Sequence, residues 1–171
     1  ANNIVIAALG NGGINILKYD PEGNLLWNEQ YRGSQLAYPQ PMALVIDSAN
    51  NIYIAGYAGI GMIAKYDPNG NFLWDFDYPS TGGIVSDLAL DNDGNLYAGG
   101  RLFSGNESFL HITKFNPFGD TLWTFQHNIP GGSNGYIYKI KLNSDYVYGF
   151  GRYTNSNDNI DLAVVKIDNN G

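Results

Sequence analysis

Residue types that commonly carry out catalysis are sparse in this sequence. It has two histidines, His111 and His127, and no cysteine. Neither histidine has a second ligand at metal-binding spacing, and the absence of cysteine excludes thiolate and disulfide chemistry. The candidate acids for a catalytic pair, Asp87 and Glu107, have no obvious partner in the sequence. We therefore predict no catalytic residue, no metal site and no cofactor.

One acidic segment resembles the opening of a calcium-binding loop. Residues 91–95 read Asp-Asn-Asp-Gly-Asn. A hand-type loop needs glycine at its sixth position and a bidentate acid at its twelfth, and these positions hold Leu96 and Leu102. We interpret the segment as a hairpin turn between two strands.

The three arginines show a more informative pattern. All fall between expected strands, together with several aromatic residues, whereas the lysines lie on expected strands. Arginine and tyrosine are enriched in binding hot spots. We therefore predict a binding surface formed by Arg32, Tyr57, Tyr78, Arg101, Phe103, Arg152 and Tyr153. The alternative is that these are ordinary loop and strand-end residues. One glycosylation sequon falls in the same kind of connection, which makes Asn106 a candidate for modification.

An internal repeat must position these residues. The segment Lys-Tyr-Asp-Pro-Glu-Gly-Asn-Leu-Leu-Trp begins at Lys18, returns from Lys65 and Lys114, and begins once more at Lys166. These lysines are 47, 49 and 52 residues apart, a spacing typical of repeat architectures. Asp or Asn followed by Pro, any residue and Gly favours a type I turn. All three tryptophans occupy one position of the motif, which favours a structural role over a sugar-stacking platform.

The repeat predicts one propeller segment, 1–171, whose units are a partial blade at 1–31, blades at 42–78 and 85–127, and a partial blade at 136–171. Each full unit has four strands, lettered A to D. The second unit has them at 42–47, 52–57, 62–66 and 72–78. The third has them at 85–91, 96–100, 109–115 and 121–126. The first unit has B, C and D, and the last has A, B and C at 136–142, 146–151 and 162–167.

Four-stranded units at this spacing, joined by tight hairpins, are typical of β-propeller blades. The segments 91–100, Asp-Asn-Asp-Gly-Asn-Leu-Tyr-Ala-Gly-Gly, and 65–70, Lys-Tyr-Asp-Pro-Asn-Gly, resemble repeats of prokaryotic extracellular propellers, often called seven-bladed propeller repeats. The resemblance covers essentially the whole chain. It implies an all-β propeller segment of about three and a half blades and about 14 strands. It does not select a function, because that group includes surface proteins, lectins and lyases.

The composition of the chain and its resemblance to extracellular propellers together reduce the number of plausible functions. The net charge of −7 argues against a nucleic-acid partner or an anionic membrane surface. No apolar run approaches the roughly 20 residues of a membrane span. We predict a non-enzymatic structural or adhesive module, extracellular or at the cell surface. In a propeller the B–C and D–A connections meet on one rim, where we expect it to bind a protein or a glycan. The alternatives are a propeller enzyme, either a lyase or a glycan-processing enzyme, and a lectin.

The strand order also predicts self-association or flanking blades of a longer chain. The first unit lacks strand A and the last lacks strand D, so we expect two blade faces without a neighbouring blade. The apolar rows Ile14 and Ile16 at one end, and Leu162 and Val164 at the other, are expected to be exposed. Exposed strand edges favour pairing with other chains. We expect a longer chain or an open assembly rather than a closed dimer.

Overall fold

The computed structural model describes residues 3–33, 39–78, 82–104, 107–128 and 133–171, and these residues form strands and turns without any helix. The strands are β1 (Ile4–Gly10), β2 (Gly13–Tyr19), β3 (Leu25–Tyr31), β4 (Gln40–Ile46), β5 (Ile52–Tyr57), β6 (Gly61–Tyr66), β7 (Phe72–Asp77), β8 (Gly83–Leu90), β9 (Leu96–Ser104), β10 (Glu107–Phe115), β11 (Thr121–His127), β12 (Ser133–Leu142), β13 (Tyr146–Thr154) and β14 (Ile160–Asp168). Across the described ranges there is no helix that could span a membrane.

These strands form four antiparallel sheets in chain order. Blade 1 contains β1–β3, blade 2 contains β4–β7, blade 3 contains β8–β11 and blade 4 contains β12–β14. In the two four-stranded blades the strands lie in the order A, B, C, D, so each strand pairs with its neighbour in sequence. This arrangement confirms the predicted all-β propeller segment of three and a half blades, and the sheets do not close into a ring.

Some strands extend further than predicted. The ladder between β9 and β10 continues to Glu107 opposite Ser104, and that between β13 and β14 continues to Ile160 opposite Thr154. Arg101 and Arg152 therefore lie within strands. The expectation that all three arginines lie in connections is wrong for these two, because cross-strand pairing continues past the glycines that precede them.

Three apolar clusters fill the spaces between adjacent blades. Between blades 1 and 2 lie Ile14, Ile16, Ile52, Ile54, Met62 and Ala64. Between blades 2 and 3 lie Tyr53, Ile63, Val85, Leu96 and Phe115. Between blades 3 and 4 lie Tyr97, Leu110, Ile112, Ile137, Val147 and Ile167. The core of this chain is thus a series of sheet-on-sheet interfaces, each made by residues alternating along the strands.

The apolar side chains of each C strand face the following blade, and this contradicts one prediction about exposed residues. Ile14 and Ile16 on β2 point toward blade 2 and are fully buried, so the prediction that they are exposed is wrong. Leu162 and Val164 on β14 occupy the matching positions, but no described residue covers them. They are exposed, as predicted.

A repeated hydrogen-bond pattern joins each blade to the next. In blade 1, Lys18 Nζ and Trp27 Nε1 both donate to the Pro68 carbonyl oxygen of blade 2, at 2.7 and 3.1 Å. Lys65 and Trp74 donate in the same way to Pro117 of blade 3, at 2.8 and 3.3 Å. Lys114 and Trp123 donate to Asn169 of blade 4, at 3.1 and 3.2 Å. We call this pattern the blade lock. It gives each tryptophan the structural role that the sequence predicted.

The carbonyl that accepts these bonds belongs to the turn between strands C and D. Asp67 Oδ1 holds this turn in blade 2 by accepting from the backbone N–H groups of Asn69 and Asn71. The Asn71 amide and these backbone bonds lower the pKa of Asp67. The last turn residue, Gly70, has a φ of 88°, a conformation that side chains disfavour. A Cβ built on Gly70 would also lie 3.1 Å from the Trp27 ring. Glycine is therefore required by both the turn and the lock.

Mutations at the equivalent glycines of other blades can separate the effect of the turn conformation from that of the tryptophan contact. Gly119 contacts the Trp74 ring, where a Cβ would lie 3.0 Å from a ring atom, whereas Gly23 of blade 1 has the same turn conformation with nothing within 4 Å. Gly23→Ala should cost about 1–2 kcal/mol of unfolding free energy from backbone strain. Gly119→Ala should cost a further ~1–3 kcal/mol from overpacking against the ring. Urea denaturation checks the difference, and equal costs would contradict the ring contact.

Candidate functional site

The edge of the arc that carries the B–C and D–A connections, here called the rim, brings several predicted residues together at blades 3 and 4. The Arg101 guanidinium carbon lies 4.4 Å from the Phe103 ring centre and 5.2 Å from that of Tyr136. Tyr136 lies 4.6 Å from Tyr138, and the Arg152 guanidinium carbon lies 5.8 Å from the Tyr138 ring centre. Phe103, Arg101, Tyr136, Tyr138 and Arg152 thus form a continuous row of two cations and three rings, which we call the arginine–aromatic ladder.

Two ladder residues, Tyr136 and Tyr138, escaped the sequence prediction because they lie in an A strand. The pairing of β12 with β13 shifts between Ile137 and Lys139, so Tyr138 is the extra residue of a β-bulge. A bulge redirects the side chain that it contains, and Tyr138 is exposed. A sequence signal for this bulge exists: Gly56, Gly100 and Gly151 occupy matching positions, and each lies against a backbone carbonyl of its A strand.

The ladder restrains its two arginines by stacking them on aromatic rings. Guanidinium groups stack on aromatic rings with a stabilisation of about 0.5–1 kcal/mol at exposed sites. Arg101 is half-buried, and its Nε is enclosed without a hydrogen-bond partner in the part of the chain that the structure describes. A stacked guanidinium loses less conformational freedom when a carboxylate binds it bidentately. The ladder is therefore a preoriented pair of cations separated by two tyrosine rings.

Other predicted rim residues lie apart from the ladder. Arg32 follows β3, and its Nε donates to Gln30 Oε1 at 3.0 Å. It lines a cleft between blades 1 and 2 with Tyr31, whose buried hydroxyl donates to Asp75 Oδ2 at 3.0 Å. Burial and the nearby Asp75 raise the pKa of Tyr31, so this hydroxyl stays protonated. Tyr57, at the end of β5, is half-buried.

The remaining predicted residues lie elsewhere. Tyr153 is half-buried and packs against the cluster between blades 3 and 4. Tyr78 is 3% exposed and lies in the cluster between blades 2 and 3, so it cannot present its ring at the rim. Its position corrects the sequence-based set, because the residue that follows β7 points into the core. Asn106 and the side chain of Glu107 lie outside the described part of the chain.

The core around Tyr78 contains one of the two histidines. His111 is fully buried, with its Nε2 2.6 Å from Thr113 Oγ1 and its ring edge-on to Tyr78 at 4.7 Å. Burial lowers the pKa of His111 to about 3. The imidazole is therefore neutral at ordinary pH and is enclosed by the core, where it has no access to a ligand at the rim.

The acid Asp87 has a partner that is distant in sequence. Its Oδ1 accepts from Lys139 Nζ and its Oδ2 from the Ile140 backbone N–H, each at 2.9 Å. These bonds join the A strands of blades 3 and 4. The carboxylate thus contributes to blade docking, and both of its oxygens are already hydrogen-bonded.

The acidic segment at 91–95 forms a turn. Asp91 Oδ1 accepts from the backbone N–H groups of Asp93 and Asn95, at 3.0 and 2.9 Å, and Lys114 Nζ lies 3.7 Å from Asp91 Oδ2. The carboxylate is thus held by its own hairpin and by the blade lock. Within the described ranges, no group of three or more His, Asp or Glu side chains could hold a metal ion.

Comparison with known proteins shows the fold and leaves the family open. No protein-family model matches the chain, and no curated protein matches it. A protein of unknown function from Bacteroides caccae is similar in structure, with a TM-score of 0.52 and 14% identity over 96% of this chain and 60% of that one. A GH43_12 retrieved from capybara gut metagenome has a TM-score of 0.55 and 16% identity over 99% of this chain and 38% of that one. The chain thus spans less than two thirds of each.

Burial of His111 predicts a pH dependence of stability. Below the ordinary histidine pKa of 6.5 the unfolded chain binds a proton that the folded chain excludes until about pH 3. The contribution of the neutral His111 to the free energy of unfolding is therefore fully present above pH 6.5 and decreases as the pH falls toward 3. We expect the unfolding free energy of the wild type, relative to that of His111→Met, to decrease by about 3 kcal/mol between pH 7.5 and 4.5. Denaturation at both pH values measures it.

The matched control for this experiment is the exposed histidine. His127→Met should leave the same pH dependence as in the wild type, because His127 is exposed at the end of β11. An equal shrinkage in both variants would contradict the burial of a neutral imidazole at position 111.

Proposed function

We propose that this chain is a non-enzymatic propeller module of an extracellular or cell-surface protein, and that its rim binds a glycan carrying carboxylate groups. The observation that carries this proposal is the arginine–aromatic ladder at blades 3 and 4, in which Arg101 and Arg152 flank Tyr136 and Tyr138. The resemblance of the repeats to extracellular propellers supports the location.

The chemistry of the ladder favours a sugar over a protein surface. The apolar face of a sugar ring stacks on an aromatic ring, and Tyr138 presents an exposed ring for this contact. A guanidinium at either side matches the geometry of a carboxylate. The fold likeness to a GH43 family glycoside hydrolase domain also favours a glycan.

The charge of the chain limits the ligand further. A net charge of −7 repels densely charged polyanions over the distance that salt leaves unscreened. We therefore expect isolated carboxylates, as in a polymer of uronic acids, rather than dense sulfate groups.

The absence of catalysis is part of the proposal. Asp87 is engaged by Lys139 and the Ile140 backbone, and His111 is buried and neutral, so neither supplies an acid or base at the rim. A structural or adhesive module needs only to hold its ligand.

Tetragalacturonate is a suitable probe, with its methyl ester as the uncharged counterpart. We expect titration calorimetry to show that the wild type binds the acid, and that Arg101→Gln and Arg152→Gln each weaken binding by about tenfold, the loss of one charge-assisted contact. Arg32→Gln is the matched control, because Arg32 lies on the rim outside the ladder and should bind like the wild type.

Three results would contradict the proposal. Equal binding of the acid and its ester would show that the carboxylate does not contribute to binding. Unchanged binding of the acid in both ladder variants would show that the ladder is not the binding site. Release of new reducing ends from the probe would show an enzyme.

A further inference from the structure

The cleft between blades 1 and 2 is open, whereas aromatic rings fill the matching space between blades 2 and 3. There the Phe76 ring lies edge-on to Phe115 and Tyr78, with ring centres 4.9 and 5.0 Å apart. Glu29 occupies the position of Phe76 in blade 1, since each lies two residues after the tryptophan of its repeat. Without a ring at this position, a cleft of about 350 Å³ remains, which is within the roughly 300–1,000 Å³ of small-ligand sites.

Two further positions of this cleft carry a more polar group than the next interface does. Tyr66 matches Phe115, and Asp75 matches Thr124. Together with Glu29, these polar residues line the cleft. An interface that only has to pack is satisfied by aromatic rings, as blades 2 and 3 show. Local departures from a packing rule that the rest of a fold obeys are expected at functional sites.

The Tyr66 hydroxyl makes no hydrogen bond to another described residue, although Tyr66 is only 4% exposed. Its ring lies edge-on to the Phe72 ring at 5.7 Å. Burial raises the pKa of Tyr66 to about 12, and the nearby Glu29 and Asp75 carboxylates contribute to this rise. The protonated hydroxyl thus lies in a negative field within the cleft. A buried hydroxyl without a partner is costly, so a ligand that hydrogen-bonds to it is stabilised.

The carboxylates of the cleft carry negative charge that no described cation neutralises. Neither Glu29 nor Asp75 forms an ion pair with a described residue, and Asp75 Oδ2 accepts from the Tyr31 hydroxyl at 3.0 Å. Burial and the proximity of Asp75 raise the pKa of Asp77, so a third carboxylate lies close by. Arg32 also lines the cleft but is not paired with these acids. Negative charge is therefore in excess here.

We propose that this cleft binds the arginine side chain of a protein partner, with Glu29 and Asp75 accepting from the guanidinium and the Phe72 ring stacking on it. Phe72 is 52% exposed and lines the cleft. Arginine matches the arrangement better than lysine, because a guanidinium is planar, pairs with carboxylates through two hydrogen bonds and stacks on rings. The net charge of −7 attracts a basic partner. This site lies in other blades than the arginine–aromatic ladder and takes the opposite charge.

N-acetylargininamide is a suitable probe, and the matching citrulline compound is its neutral counterpart of the same shape. We expect NMR titration of the ¹⁵N-labelled chain with the arginine probe to shift backbone amide signals of β3 and β7. The citrulline compound should bind at least about tenfold more weakly, because it lacks the charge-assisted contacts.

Variants of the two acids locate the probe. Glu29→Gln and Asp75→Asn should each weaken binding of the arginine probe about tenfold, and Asp75→Asn retains an oxygen that accepts from the Tyr31 hydroxyl. Glu22→Gln is the matched control, because Glu22 lies in an exposed turn of blade 1, and it should bind like the wild type. Glu29→Phe copies the residue of blade 2 and should abolish binding by filling the cleft.

Three results would overturn the proposal. Equal binding of the arginine and citrulline compounds would show that the cleft does not recognise the charge. Unchanged binding in both Glu29→Gln and Asp75→Asn would place the probe elsewhere. Weaker binding in Arg32→Gln together with tighter binding in Glu29→Gln would indicate a site for an anion.

The ladder variants separate this proposal from the glycan proposal. Arg101→Gln and Arg152→Gln should bind the arginine probe like the wild type, because both residues lie in blades 3 and 4. Loss of arginine binding in these variants would show that the cleft is not an independent site. Failure of the chain to bind tetragalacturonate would leave the predictions for the cleft unchanged.

Discussion

The structure of this chain depends on one carbonyl oxygen in each of blades 2, 3 and 4 that accepts hydrogen bonds from two side chains of the preceding blade. The lysine and tryptophan donors are nine residues apart in the repeat and lie opposite each other on strands C and D, as Lys65 and Trp74 do. Each buried ammonium and indole N–H obtains an acceptor, which avoids the cost of an unsatisfied buried donor. Burial lowers the pKa of Lys65, and the Pro117 carbonyl offsets part of its desolvation.

The ladder at the rim exists only because the blades are docked in this way. Arg101 belongs to blade 3, whereas Tyr136, Tyr138 and Arg152 belong to blade 4. The bond from the Ile140 backbone to Asp87 fixes the two A strands against each other close to these residues. The binding surface that we propose is built across two sheets, so its rigidity depends on the interface between those sheets.

The sequence predicted the features that recur in each repeat. It missed contacts between residues that are distant in the sequence. The spacing of Lys18, Lys65 and Lys114 was sufficient to predict the blades and the structural role of the tryptophans. Period-2 patterning identified the face that holds Ile16 but not whether it points to a following or a preceding blade, because alternation carries no direction. The bond from Lys139 to Asp87, 52 residues apart, also requires the blades to be docked first. The bulge at Tyr138 lies within blade 4, and its sequence signal is the glycine at position 151.

Hydrogen exchange of the three indole N–H protons tests the blade lock most directly. The account predicts that Trp27, Trp74 and Trp123 exchange together and slowly, at least about 100-fold slower than in the urea-unfolded chain, since each proton is held by a carbonyl of the next blade. NMR with Trp→Phe variants assigns the three signals. Exchange of any of them at the rate of the unfolded chain would show that its blade is not locked to the next, and would contradict the account.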